Sequence, residues 1–221
     1  FGTSNSGGGL GAAIKFCGID CIWIKGKSTE PVYLVVDEKG VLFKDGKDLW
    51  GRDTFETVDI LKASEGKGTE VASIGPAGEK GVKFASIQNG YYHSFGRTGL
   101  GAVMGSKMVK ALCFKGNSEI VVKDKKRLMK TAKKLRDRIM SSDSFGYTRR
   151  YGSMVVSDVY NKLGILPGLN YRKGSFENWE ETRGRKAFEE RFKVKDFACV
   201  SCHIGCLHWS RVTDGPFAGV E

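Results

Sequence analysis

The chain has 221 residues, with 36 Lys plus Arg against 25 Asp plus Glu, giving a formal net charge of +11. At 40% hydrophobic and 28% charged it is too apolar for a disordered tail, and no apolar run reaches the ~18–20 residues a membrane helix needs. Thirty glycines without a three-residue period exclude collagen and point instead to many tight turns and close backbone approaches in a soluble globular chain.

That length buries one large core or two ordinary ones. No basic segment followed by an apolar one opens the chain at Phe1, so no targeting signal is visible and a cytoplasmic location is expected. At the other end Glu221 follows a turn at Asp214-Gly215-Pro216 with no closing element. We read the chain as an internal segment.

In chain order, the first feature is the glycine stretch Ser4-Asn5-Ser6-Gly7-Gly8-Gly9-Leu10-Gly11, whose open amides suit either a phosphate or a tight turn leading into a helix. Cys17 and Cys21 follow in an apolar setting, as does Cys113 later, and all three are expected as small buried hydrophobes. Pro31-Val32-Tyr33-Leu34-Val35-Val36 and Val41-Leu42-Phe43 flank Asp37-Glu38-Lys39-Gly40, which predicts a hairpin. Asp53 with Glu56 forms a capping-box pattern ahead of Phe55, Val58 and Leu61, the predicted apolar side of a short helix. The second glycine stretch, from Gly96-Arg97 through Gly99 and Gly101 to Gly105, again enters a predicted helix. It is not a Walker loop, and Tyr91-Tyr92-His93-Ser94-Phe95 is a poor core strand for a dinucleotide fold. Residues 1–120 thus predict short strands with one or two helices.

A boundary falls between residues 116 and 124. Beyond it Leu128, Ala132, Leu135 and Ile139 recur at helical spacing among Lys123, Lys125, Lys126, Arg127, Lys130, Lys133, Lys134, Arg136 and Arg138. This predicts an amphipathic, strongly basic helix opening a helical region over residues 121–221. The fold class is therefore α+β, a β-rich amino-terminal domain followed by a mainly α-helical region.

Cys199-Val-Ser-Cys202-His203-Ile-Gly-Cys206 is the sharpest chemistry. Three thiols in eight residues can converge on one soft metal, and three readings compete. An iron-sulfur cluster would use Cys199, Cys202 and Cys206 with a distant fourth cysteine. Zinc would use Cys199 and Cys202 with Cys206, His203 or His208. A haem attachment pattern is also satisfied by Cys199, Cys202 and His203 but leaves Cys206 without a role. Buried or redox-paired thiols are the bland alternative.

Together these stretches resemble the tungsten-containing aldehyde:ferredoxin oxidoreductase family, almost collinearly from Asn5 to Cys206. The resemblance rests on Asn5-Ser6-Gly7-Gly8, Lys15-Phe16, Pro31-Val32-Tyr33, Trp50-Gly51, Ala72-Ser73-Ile74-Gly75-Pro76-Ala77-Gly78-Glu79, Val82-Lys83-Phe84-Ala85, Gly101-Ala102-Val103-Met104-Gly105-Ser106-Lys107, Lys110-Ala111, Tyr151-Gly152 and the cysteines. It implies a two-sheet amino-terminal domain carrying a tungsten or molybdenum bis-pterin, contacted by Asn5, Ser6, Gly7, Gly8, His93, Ser94, Gly96 and Arg97. It further implies a magnesium ion between the pterin phosphates, held through the backbone at Asn5 and Ser94, and a 4Fe-4S cluster on Cys199, Cys202 and Cys206. His93 departs from the family, several members of which carry arginine there. The fourth cluster cysteine and the catalytic acid and base are implied to lie outside this segment, as is a further basic cofactor contact.

The implied reaction is oxidation of a small aldehyde to a carboxylic acid, with electrons leaving through the cluster to ferredoxin. A reductive reaction on an acid or an aromatic acyl substrate is the alternative on the same scaffold. From another class, the net charge and basic helix allow a zinc-knuckle nucleic-acid module, disfavoured because no stacking aromatics interleave with the basic run. Neither a nucleic-acid partner nor a membrane is expected, while a homo-oligomer is compatible with the family.

Overall fold

The structure, a computed structural model, describes residues 2–221. Contacts divide the chain into Phe1–Val122 and Lys123–Glu221.

Where the resemblance implied two sheets, the described residues of the first unit form one six-stranded mixed sheet, in spatial order β2-β1-β6-β3-β4-β5. Its elements are α1 (Leu10–Phe16), β1 (Val32–Asp37), β2 (Gly40–Asp45), α2 (Thr54–Glu65), β3 (Glu70–Ser73), α3 (Pro76–Glu79), β4 (Ile87–Asn89), β5 (His93–Phe95), α4 (Leu100–Ser106) and β6 (Val109–Phe114). Only β1 and β6 pair in parallel; the other neighbours are antiparallel. The β-branched run of β1 and the apolar run of β6 occupy the middle of the sheet, as central strands buried on both faces should.

Side-chain alternation sends Val35, Val71, Ala111 and Cys113 to one face, where they pack with Val58 and Leu61 of α2. Val36, Ala72 and Phe114 pack with Leu10 and Ala13 of α1, while Leu34 packs with Met104 of α4. The predicted hairpin forms, with Asp37 opposite Gly40 and the Asp37 carboxylate accepting from the Lys39 amide at 2.8 Å.

The capping box of α2 is complete. Asp53 accepts from the Glu56 amide at 2.9 Å, and Glu56 accepts from the Asp53 amide at 3.3 Å. The predicted apolar side needs one correction. Val58 and Leu61 are buried, but Phe55 is 54% exposed and stacks on Tyr91 at 6.1 Å, while Thr57 is buried in its stead. With 3.6 residues per turn, Phe55 falls roughly 60° beyond Val58 on the side away from Leu61, so it clears the sheet.

Among its described residues the unit has four α-helices where one or two were expected. The helix predicted after the second glycine stretch forms as α4, and α4 and the short α3 are packed through bare backbone. A Cβ at Gly99 would fall 2.0 Å from the Lys83 carbonyl, and one at Gly105 equally close to that of Gly78. Gly99 also opens α4 in the left-handed region, at φ 70°. Close backbone packing thus accounts for Gly99, Gly101 and Gly105.

The second unit is mainly helical, with α5 (Lys125–Met140), α6 (Phe145–Tyr151), a 3-10 turn (Gly152–Val156), α7 (Ser157–Lys162) and further single turns, followed by the hairpin β7 (Lys193–Phe197) and β8 (Leu207–Ser210). Asp124 caps α5, accepting from the Arg127 amide at 2.8 Å. No α5 residue is buried within this unit. Asp158 is its polar anchor, accepting from Arg185 Nε at 2.6 Å and Trp179 Nε1 at 3.0 Å. Burial pushes the Asp158 carboxyl upward, but these donors outweigh it and hold the group below its usual range. Among the described residues, no helix is long and apolar enough to cross a membrane.

Candidate functional site

The first candidate region is the glycine loop before α1. It lies along the β4–β5 hairpin, whose register sets Asn89 opposite His93 and Gln88 opposite Ser94. The Asn89 amide nitrogen donates to Ser6 Oγ at 3.1 Å and to the Gly7 carbonyl at 2.8 Å. The His93 ring sits against Gly8, where an added Cβ would fall 2.3 Å from Cδ2. Gly8 has φ 86°, a second reason for glycine there.

Further along, the Arg97 amide donates to Ser4 Oγ and Thr98 Oγ1 donates to the Thr3 carbonyl, both at 3.4 Å. Asn5 is exposed, with Ser4 and Ser6 on either side held by the 89–97 segment. The structure therefore brings the 3–8 loop and residues 89–98 together. Gly96 and Arg97 stay exposed beside them.

The second candidate region, in the other unit, is the loop joining β7 and β8. Cys199 is half-buried, Cys202 and Cys206 are exposed, and none of the six cysteines is in a disulfide. The Cys202 amide donates to the Cys199 carbonyl at 3.0 Å, closing a tight turn, with Ser201 and Gly205 in the left-handed region. The three thiols share one loop. Among the described residues, however, no three His, Cys, Asp or Glu side chains are gathered at metal-binding geometry.

Beneath this loop, Asp196 and His208 face each other across the hairpin, Asp196 Oδ1 lying 2.7 Å from His208 Nδ1. His208 Nε2 is buried without a hydrogen-bond partner. The ring meets Phe188 edge-on at 5.5 Å. A Cβ on Gly152 would fall 2.5 Å from the Cys206 carbonyl and 2.9 Å from that Nε2, so the end of α6 reaches the loop only through a bare Cα.

Cys17 and Cys113 are buried as expected, burial pushing the Cys113 thiol up to about 12. Cys21 corrects the expectation. It is exposed, at the rim of an apolar cavity of about 310 Å³ also lined by Leu10, Phe95 and Phe114. Asn89 and Asp196 were not singled out by sequence. Asn89 carried one signal, an asparagine inside a strand, where that residue is disfavoured.

The donor chemistry fits the groups implied by the resemblance. A glycine loop pinned from outside keeps its amides open to phosphate oxygens. A thiol loop above an unpartnered buried imidazole nitrogen has soft donors and a polar group awaiting a neighbour.

The chain thus presents a pinned glycine loop on a mixed sheet, followed by a unit that carries three thiols on one loop. Residues 1–116 match the family model described as aldehyde ferredoxin oxidoreductase, N-terminal domain, and residues 130–221 match its domains 2 and 3. The chain belongs to the aldehyde ferredoxin oxidoreductase family.

The tungsten-containing aldehyde ferredoxin oxidoreductase of Thermococcus kodakarensis is 36% identical over 220 residues, covering 96% of this chain and 36% of that protein. Its Pyrococcus abyssi counterpart is 37% identical over 205 residues, covering 92% and 34%. The WOR-like subunit of an aliphatic sulfonate oxidoreductase from Pyrococcus furiosus is 29% identical, covering 95% and 35%. Among solved structures, the active-site complex BamBC of benzoyl coenzyme A reductase with 1,5-dienoyl-CoA superposes with a TM-score of 0.70 at 26% identity, covering 96% of this chain and 34% of that one. The chain thus spans about a third of the length of the relatives it matches.

Proposed function

We propose that this chain contributes the pterin-phosphate loop and three cluster ligands to a tungsten enzyme that oxidises an aldehyde to a carboxylic acid. Water supplies the second oxygen, and two protons and two electrons leave the substrate. The observation that carries this reading is the match of both family domains, in order, to a chain that presents the glycine loop in the first and the thiol loop in the second. When bound, the tungsten or molybdenum bis-pterin supplies the two-electron chemistry.

Each residue then has a physical task. Ser6, Gly7 and Gly8 offer backbone to phosphate oxygens. The carbonyls of Asn5 and Ser94 serve a magnesium ion, a hard cation that offsets the repulsion between two anionic groups. His93 packs on Gly8 and shapes the loop; Gly96 and Arg97 border the same site. Cys199, Cys202 and Cys206 hold three irons of a 4Fe-4S cluster, whose fourth ligand and whose catalytic acid and base come from chain outside this segment. Ferredoxin is the electron acceptor.

The likeness to the benzoyl coenzyme A reductase complex favours a second reading, reductive chemistry on an aromatic acyl substrate. Assays of the full-length protein separate the two. Aldehyde-dependent reduction of ferredoxin, with formation of the acid, supports the first. Turnover only in the reductive direction with an aromatic thioester supports the second. A zinc-knuckle nucleic-acid module has no support once the chain is placed in this family.

A further inference from the structure

We propose that Asn89 is the positioning residue of the phosphate loop, fixing Ser6 and Gly7 in the conformation that receives a phosphate-bearing pterin; the inference rests on the function proposed above. Asparagine is disfavoured in strands, yet Asn89 ends β4 with only 3% of its surface exposed. Its amide nitrogen is turned onto the loop, reaching Gly7 at 2.8 Å and Ser6 at 3.1 Å across more than 80 residues of sequence. Its cross-strand partner, His93, closes on the next loop residue, Gly8. Two adjacent side chains of one hairpin thus hold three consecutive loop residues.

The consequence for binding follows from where the bonds fall. Asn89 consumes the Gly7 carbonyl and the Ser6 hydroxyl and leaves the amides of the loop unclaimed by the side chain. A loop held by its acceptors keeps its donors for an anion, and a preformed loop saves the ordering entropy that binding would otherwise cost. Without Asn89, a stretch of three glycines regains the freedom that glycine has in full.

The test uses the full-length holoprotein, with Asn89→Ala, Ser6→Ala and the double variant. Pterin release is timed well below the unfolding temperature, by fluorescence of the oxidised pterin per chain, with iron per chain as a control for the second unit. Asn89→Ala is expected to release pterin about tenfold faster, the scale of two neutral hydrogen bonds, with iron unchanged. Ser6→Ala is expected to accelerate release less, because the shorter bond to Gly7 remains. The double variant should release no faster than Asn89→Ala alone, since both changes act through one contact. A lowered melting temperature with unaltered release would make Asn89 a structural tether only and overturn the proposal. Fully additive effects would likewise overturn it. If Asn89→Ala does not fold, Asn89→Ser replaces it, with accelerated release again required. Wild-type protein without pterin would remove the proposed function itself, a result distinct from wild-type protein whose pterin is indifferent to Asn89.

Discussion

Glu79 and Lys110 meet at 2.5 Å with side chains 4% and 0% exposed. Glu79 also accepts from the Gly51 amide at 2.8 Å, and Lys110 donates to the Arg52 carbonyl at the same distance. Three separate stretches that carry the family resemblance, around Gly51, Glu79 and Lys110, therefore meet at one buried ion pair. The Lys110→Met change would leave the Glu79 carboxylate buried without its cation, a loss of about 3–5 kcal/mol. Adding Glu79→Gln should recover part of it, so the double variant should melt above the single one. Glu65 behaves differently. Its buried carboxylate accepts from Tyr33 at 2.9 Å, Lys44 at 2.7 Å and Lys115 at 3.1 Å. Burial pushes its pKa upward, but these donors outweigh burial and bring it to about 2. A carboxylate depressed from 4.5 in this way adds stability that is fully present above about pH 4.5 and is lost as pH falls toward 2. In Glu65→Gln the melting temperature should fall at pH 7, by about 2 kcal/mol of stability, and the fall should shrink below pH 4. An equal deficit at pH 7 and pH 3 would contradict this.

At the scale of elements, what the sequence made legible was local. The hairpin at residues 32–45 and the capping box of α2 are each decided by neighbours within a few residues, through turn chemistry and cap hydrogen bonds. The roles of Asn89 and Lys110 escaped because their partners lie on other elements, and pairing across 82 or 31 residues leaves no mark on periodicity. Phe55 was misassigned because a three-residue spacing drifts around a helix with 3.6 residues per turn. The basic helix α5 was legible as a helix, though not in its surroundings: within its unit Leu128 and Leu135 remain half exposed. Its cations carry a prediction. If they attract an acidic ferredoxin, neutralising Lys125, Lys126, Lys130 and Lys134 in the full-length enzyme should lower apparent ferredoxin affinity several-fold at low salt. The difference should fade above about 0.3 M salt, where the Debye length approaches the size of a side chain, and a small neutral dye acceptor should be unaffected. Unchanged ferredoxin kinetics at low salt would leave α5 a solubilising face.

At the scale of the molecule, a pinned glycine loop and a thiol loop stand in separate units of a chain whose family is shared by both. The two loops make separable predictions. In the full-length protein Cys202→Ala should lower the iron content and bleach the brown colour without removing pterin, because it alters only the second unit's ligand set. Loss of both groups together would mean that the sites assemble as one. The most direct measurement is metal and pterin analysis of the anaerobically purified full-length protein. Tungsten or molybdenum with pterin is expected, together with about four irons per chain. A colourless protein carrying stoichiometric zinc and no pterin would contradict it.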